Sequence, residues 1–284
     1  MNTRIKFTAL LIILLLPPLG RAEGEGRASL AAPTPAVLIL GGGDYNGDGL
    51  DDPAIFRPAD GLWGVKGITR IYFGNSSDLP VPGDYNGDGT CEIGTFRSAS
   101  GLWAIRGLTR RYLGSSADQA VPGDYDGDGT CDAAVFREGN GLWSAPGITR
   151  ACFGSSGDLP APGDYAGDGI YYFAVFRPGS GLWSVQGLTR FNFGTGGDIP
   201  AAGDYGRSGD PWRATIFRAA GGLWSIRDLT RYYFGTSGDR PVPADYDDFF
   251  GDEIAIFRPS TGLWAVRTCT LLYWGGAGDI PATR

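Results

Sequence analysis

Residues 83–122 read GDYNGDGTCEIGTFRSASGLWAIRGLTRRYLGSSADQAVP, and residues 123–162 restate them nearly position for position. Working outward, the Asp-Tyr pair recurs with Asp44, Asp84, Asp124, Asp164, Asp204 and Asp245. Phe-Arg recurs at Phe56, Phe96, Phe136, Phe176, Phe217 and Phe257, and Gly-Leu-Trp at Trp63, Trp103, Trp143, Trp183, Trp224 and Trp264. The step is 40 residues, with a single 41 in the fifth unit. A fixed period of this length is the mark of a repeat architecture.

Each unit holds four short strand candidates. In unit two they are Val81–Tyr85, Glu92–Arg97, Leu102–Arg106 and Thr109–Leu113, separated by Gly- or Ser-rich turns. Four strands in 40 residues match one propeller blade. No window has helical apolar spacing free of Gly or Pro, which excludes a helical solenoid. Each unit also carries apolar residues that it cannot bury alone. Stacking six wedges in a ring buries both faces of each and leaves few open edges. The expected fold is all-β, a six-bladed β-propeller over residues 36–284, with an open β-solenoid as the alternative. The last unit stops at Asp279-Ile280-Pro281, where another Gly-Asp-Tyr would begin. The first unit opens with Ala36–Leu40 leading into Asp44. These ends are complementary parts of one period and should meet at a seam.

Composition narrows the chemistry. The 284 residues include 48 Gly and 19 Pro, yet 42% are apolar and 13% aromatic, enough for a substantial core. There is no His, which excludes Ser-His-Asp and Cys-His units and His-ligated zinc. Lysine is limited to Lys6 and Lys66, leaving little for P-loop or Schiff-base chemistry. Arg4 and Lys6, the apolar run Phe7–Leu19, and the small residues Gly20 and Ala22 read as a signal peptide over 1–22, cleaved near Ala22. A short linker, 23–35, follows. The expected product is secreted, to the periplasm, cell surface or medium, with no transmembrane segment in the mature chain. Cleavage removes three bases and no acid, so the net charge of −7 becomes −10. That balance argues against a nucleic-acid partner. Cys91, Cys131, Cys152 and Cys269 do not form a recognisable disulfide framework.

The strongest chemical signal is a nine-residue loop. In unit one, Asp44, Asn46, Asp48 and Asp52 place side-chain oxygens at positions 1, 3, 5 and 9, and Leu50 can offer its carbonyl from position 7. Unit two repeats this with Asp84, Asn86, Asp88, Thr90 and Glu92, and unit three with Asp124, Asp126, Asp128, Thr130 and Asp132. Calcium takes 6–8 oxygens, so alternate side chains folded around one point suit it. Position 12 is Ile55, Thr95 or Val135, so this is not an EF-hand. The ten carboxylates assigned as ligands in these loops equal in number the net charge of −10 expected after cleavage. Two like charges ~4 Å apart repel by roughly 4 kcal/mol at an effective dielectric of about 20, so such clustering calls for counter-ions.

The pattern Asp-x-[Asp/Asn]-x-Asp-Gly-x-x-[Asp/Glu], followed by an apolar strand ending in Phe-Arg, resembles the FG-GAP or VCBS repeat. That family includes the propeller of integrin α subunits and many secreted bacterial proteins. The resemblance spans about residues 36–284. It implies calcium in blade loops, and adhesion or ligand binding rather than catalysis. Integrin propellers have seven blades, whereas this chain has six repeats.

Units four to six depart from the motif. Unit four has Ala166 at position 3 and Tyr171-Tyr172 at positions 8 and 9. Unit five has an insertion and carries Arg207, Trp212 and Arg213. Unit six has Asp245, Asp247, Asp248 and Glu253 with Phe249 and Phe250, a marginal site. About three calcium sites are therefore expected, in units one to three. The residues Tyr171, Tyr172, Arg207, Trp212, Arg213, Phe249 and Phe250 suit a rim for a glycan or protein ligand. Local packing in place of the lost metal is the alternative. The six Gly-Leu-Trp tryptophans read as core. The Phe-Arg arginines match in number the acids Asp78, Asp118, Asp158, Asp198, Asp239 and Asp279, which suggests a repeated ion pair.

The expected function is a secreted, calcium-binding, non-catalytic binding or adhesion module. The alternative is a structural subunit of a surface or extracellular assembly. A carboxylate-based glycan-active enzyme is disfavoured, because no acid stands apart from the repeat as a unique catalytic residue would.

Overall fold

The computed structural model describes residues 43–207, 209–247, 249 and 251–282. The expected signal peptide, linker and opening stretch Ala36–Leu40 lie outside them, as do Asp248 and Phe250. Six four-stranded antiparallel sheets make a six-bladed β-propeller. Among the described residues the one helical piece is a 3₁₀ turn, Ala219–Gly221, and no helix is long and apolar enough to cross a membrane.

Blade 2 shows how the repeat folds. Its strands are Leu79–Pro80, Gly94–Arg97, Leu102–Ile105 and Thr109–Tyr112. The first strand lies before the expected Val81–Tyr85 and is only two residues long. Pro80 and Pro82 lack the N–H that a longer ladder needs. In blade 3, Ala120 replaces the first of these prolines and the strand lengthens to Asp118–Ala120. Val81 still donates to the Gly94 carbonyl, so the chain keeps pairing irregularly into the loop.

The hairpin before each tryptophan requires glycine. Gly101 has φ +69, and a Cβ there would sit 2.4 Å from the Gly114 carbonyl oxygen. This closeness lets Leu113 donate to the Gly101 carbonyl, closing the blade's outer end. All six repeat tryptophans and the Phe-Arg phenylalanines are fully buried. Each indole N–H donates to a backbone carbonyl ten residues on, for example Trp143 to Phe153 at 2.9 Å. Burying such a ring contributes several kcal/mol, and its polar N–H is satisfied.

All six expected ion pairs form. Arg97 Nε and Nη2 donate to the two oxygens of Asp78 at 2.7 and 3.0 Å. The same side-on fork joins Arg57–Asp279, Arg137–Asp118, Arg177–Asp158, Arg218–Asp198 and Arg258–Asp239. The six carboxylates are almost wholly enclosed while the guanidinium groups reach the surface. Ring closure uses the same parts. Ile280–Pro281 pairs with Ala54–Arg57 as the first strand of blade 1. Ala282 N–H donates to the Ala54 carbonyl, the Tyr45 hydroxyl donates to the Ala282 carbonyl, and Arg57 grips Asp279. Blade 1 is thus completed by residues more than 200 positions away in the chain.

Candidate functional site

The six Asp-Tyr loops converge on one end of the ring, around a cavity of about 470 Å³ bordered by Asp44, Asp84, Asp164, Asp204 and Asp245. Their shape follows from the motif. Asp84 Oδ1 accepts the Gly87 N–H at 2.7 Å and Oδ2 accepts the Gly89 N–H at 2.9 Å. Gly87 and Gly89 take positive φ, which lets both amides point inward. The position 2 tyrosine anchors the loop: Tyr85 donates its hydroxyl to the Val81 carbonyl at 2.9 Å, and its backbone N–H donates to Glu92 at 2.8 Å. Burial holds the phenols of Tyr45, Tyr85, Tyr125, Tyr205 and Tyr246 protonated, so they act as struts.

Position 8 joins neighbouring blades. Its N–H donates to the carbonyl of the position 1 Asp in the preceding blade. The six bonds are Cys91 to Asp44, Cys131 to Asp84, Tyr171 to Asp124, Trp212 to Asp164, Asp252 to Asp204 and Asp51 to Asp245. The last crosses the seam. Each side chain then covers the residue before that Asp. A Cβ on Gly43 would meet Cys91 Sγ at 3.0 Å, and one on Gly163 would meet Trp212 Cε3 at 2.3 Å. None of the four cysteines is in a disulfide.

Among the described residues, three groups bring carboxylate oxygens within 4.8 Å of one another and could hold a metal ion. They are Asp84, Asp88 and Glu92; Asp124, Asp126 and Asp128; and Asp245, Asp247 and Glu253. They lie in blades 2, 3 and 6, whereas the motif pointed to blades 1 to 3 with blade 6 marginal. Side-chain length explains the difference. Blades 2 and 6 carry the longer Glu at position 9, and blade 3 carries an acid at position 3. Blade 1 has Asn46 and the shorter Asp52, and there the Asn46 amide donates to both Asp52 oxygens at 3.4 Å.

The donor set is all hard oxygen, and its electrostatics favour a cation. Burial raises the Asp132 carboxyl from 3.8 to about 6, with Asp126, Asp124 and Asp128 adding repulsion. Burial raises Asp52 to about 6 and Glu253 to about 7, each with neighbouring acids adding to it, and Glu92 moves in the same direction. A divalent ion would reverse this logic by stabilising the charged forms.

Blades 4 and 5 fill the equivalent space differently. The Tyr172 hydroxyl donates to Asp168 at 2.7 Å, so a phenol occupies the place of the position 9 acid. Tyr171 packs edge-on against Trp212, ring centroids 5.2 Å apart, and also against Tyr125. Arg213 takes position 9 in blade 5, bridged to Gly203 through the backbone as the acids are elsewhere. Arg207 and Phe249 are exposed. The structure therefore brings together Tyr171, Trp212 and Arg213, while Phe249 stands on the surface in blade 6. Sequence reasoning passed over Asp228, which adopts φ +59 beside Trp212 and Arg213 where four other blades have Gly. Its misfit to the repeat was the available signal. Comparison with protein-family models, curated proteins and solved structures finds no match for this chain.

Proposed function

We propose that the protein is a secreted, calcium-stabilised propeller of the FG-GAP or VCBS kind that acts as a non-catalytic binding or adhesion module. The carrying observation is the gathering of three carboxylates in each of three blade loops, all hard oxygen donors suited to calcium. Asp84, Asp88 and Glu92 would hold the ion in blade 2, Asp124, Asp126 and Asp128 in blade 3, and Asp245, Asp247 and Glu253 in blade 6. Bound there, calcium would cancel the repulsion among these acids and brace each loop. The carboxyls raised by burial, Asp52, Glu92, Asp132, Asp204 and Glu253, all belong to repeated loops, which supports binding over catalysis.

A structural-subunit role has its own support. The outer edge strands of blades 5, 6, 1 and 2 carry Tyr233, Tyr273, Tyr72 and Tyr112, each more than 70% exposed. Such an arc on unpaired edges suits side-by-side association.

The test is a thermal melt in calcium and in chelator. At a hundred-fold excess over Kd, each site contributes about 2.7 kcal/mol, so the midpoint should rise by several degrees. An unchanged midpoint at millimolar calcium would sink the reading.

A further inference from the structure

In a repeat protein the repeat itself defines what the scaffold needs, so departures that meet at one place point to function. Blade 5 departs at three positions that meet. Trp212 stands at position 8 and Arg213 at position 9, next to the chain's single insertion. Asp228 occupies a left-handed turn position that is Gly67, Gly107, Gly147 and Gly187 in blades 1 to 4. An Asp there carries a conformational cost that glycine avoids. All three line one pocket of about 250 Å³, whose wall also includes Phe191 from blade 4 and Arg227.

The chemistry of this pocket is specific. Arg213 Nε is shut away from water and has no hydrogen-bond partner. Elsewhere in the molecule, six arginines use the Nε–Nη2 fork to grip a carboxylate side-on. Arg213 has no such acid, and with its Nε enclosed it can offer a ligand only the end-on fork of its two Nη groups. Arg227 lies 3.7 Å from the Phe191 ring centroid, which holds a second cation at the wall. Asp228, 3.5 Å from Arg227 and largely exposed, adds an acceptor suited to hydroxyl groups and unfavourable to a bare inorganic anion. Trp212 is half-buried and supplies a ring surface. A volume just under the roughly 300–1,000 Å³ of ordinary ligand pockets admits one ring-sized group.

We propose that this pocket binds a hexuronate residue of an acidic polysaccharide, with Arg213 taking the carboxylate, Trp212 the sugar ring, and Asp228 with Arg227 the hydroxyls. The inference rests on the reading of the protein as a binding module, and it names the ligand class. A hexuronate combines a carboxylate, a ring and several hydroxyls in this space, whereas an acidic peptide offers Asp228 no hydroxyls to accept from.

The experiment is calorimetric titration of the full chain, in calcium, with trigalacturonate, a neutral galactose trimer and triglutamate. Tryptophan fluorescence is a second readout, since the six repeat tryptophans are fully buried, while of the two partly exposed ones Trp212 lines the pocket and Trp274 packs against Arg70 and Gly64 of blade 1. Trigalacturonate should bind saturably and perturb the fluorescence, with the other two probes at least ten-fold weaker. Arg213→Ala should weaken binding at least ten-fold, and Arg213→Lys, which keeps the charge and loses the fork, should weaken it less. Asp228→Gly installs the residue of blades 1 to 4, where blade 6 has Thr268, and should weaken trigalacturonate without lowering the melting midpoint. Arg150→Ala, in the outer strand of blade 3, should bind as the parent does. Absent binding, undiminished binding by Arg213→Ala with its melt intact, or triglutamate binding as well as the sugar acid would each overturn the proposal. If calcium still raises the midpoint, the binding-module reading survives that failure; if it does not, both fall.

Discussion

Blades 2 and 5 share a backbone and differ in chemistry. In both, the residue at position 9 exchanges backbone hydrogen bonds with the glycine before Asp-Tyr, Glu92 with Gly83 and Arg213 with Gly203. In both, position 8 donates to the preceding blade, Cys91 to Asp44 and Trp212 to Asp164. Yet Glu92 turns into its loop and joins Asp84 and Asp88, while Arg213 lines an outer pocket. Blade 4 is a third solution, with Tyr172 bonded to Asp168. The ring's geometry is carried by glycines and backbone hydrogen bonds. Position 9 is therefore free to change from acid to phenol to guanidinium without breaking the blade.

The largest expected effect would show that both regions rest on the same frame. Asp78→Ala in blade 2 and Asp158→Ala in blade 4 each strand an arginine beside an enclosed site. Each guanidinium can still reach water, so the cost is that of the lost charge-assisted hydrogen bonds, about 3 kcal/mol in denaturant unfolding. A small cost in one blade alone would mean that the frame is not shared.

Metal separates the two regions. Glu92→Gln should remove one site's share of the calcium-dependent rise in melting midpoint, about 2.7 kcal/mol at a hundred-fold excess over Kd. Tyr172→Phe should leave that rise intact. A calcium response that is the same in Glu92→Gln as in the parent would erase the distinction.

Packing at position 8 comes next. Gly163→Ala drives a methyl group into Trp212 and should cost about 1–3 kcal/mol. Gly43→Ala, facing Cys91 Sγ at 3.0 Å and Tyr45 Cε2 at 3.2 Å, should cost less. Equal losses would show that the aromatic loops are no more tightly packed than the acidic ones.

Protonation gives a smaller contrast. Asp132 and Glu253 titrate at about 6 and about 7 in the folded chain, above their ordinary values. Their protonated forms favour folding, so this stabilisation is present at about pH 4 and lost as pH rises through about 6 to 7. In chelator the melting midpoint should fall over that range. Asp132→Asn should flatten the fall, and saturating calcium should abolish it. The smallest effect is that of Tyr172→Phe itself, which removes one exposed hydrogen bond to Asp168 and should leave the melting midpoint almost unchanged.

The period alone disclosed the six blades, the buried Trp and Phe rows and the matched Arg–Asp pairs. All three are properties of one unit repeated, so position in the unit predicts environment. The loops were legible as oxygen-rich turns, but which of them gather three acids was not. That outcome depends on whether Asp52 or Glu92 is long enough to reach its neighbours, a matter of about one methylene. The roles of positions 8 and 9 in blades 4 and 5 were also hidden, because an aromatic residue reads alike as rim or as filler until its neighbour is known.

By itself, then, the sequence determined the unit, its count and the kind of atoms in its loops, since local propensity and a 40-residue period need no partner to be read. Only the tertiary structure decided what lies between units. It placed Ile280–Pro281 beside Ala54–Arg57, laid Trp212 over Gly163, and brought Arg213 to the same pocket as Asp228. The physical reason is that closing a ring sets together residues far apart in the chain, and their fit depends on side-chain length and neighbours that no single repeat encodes.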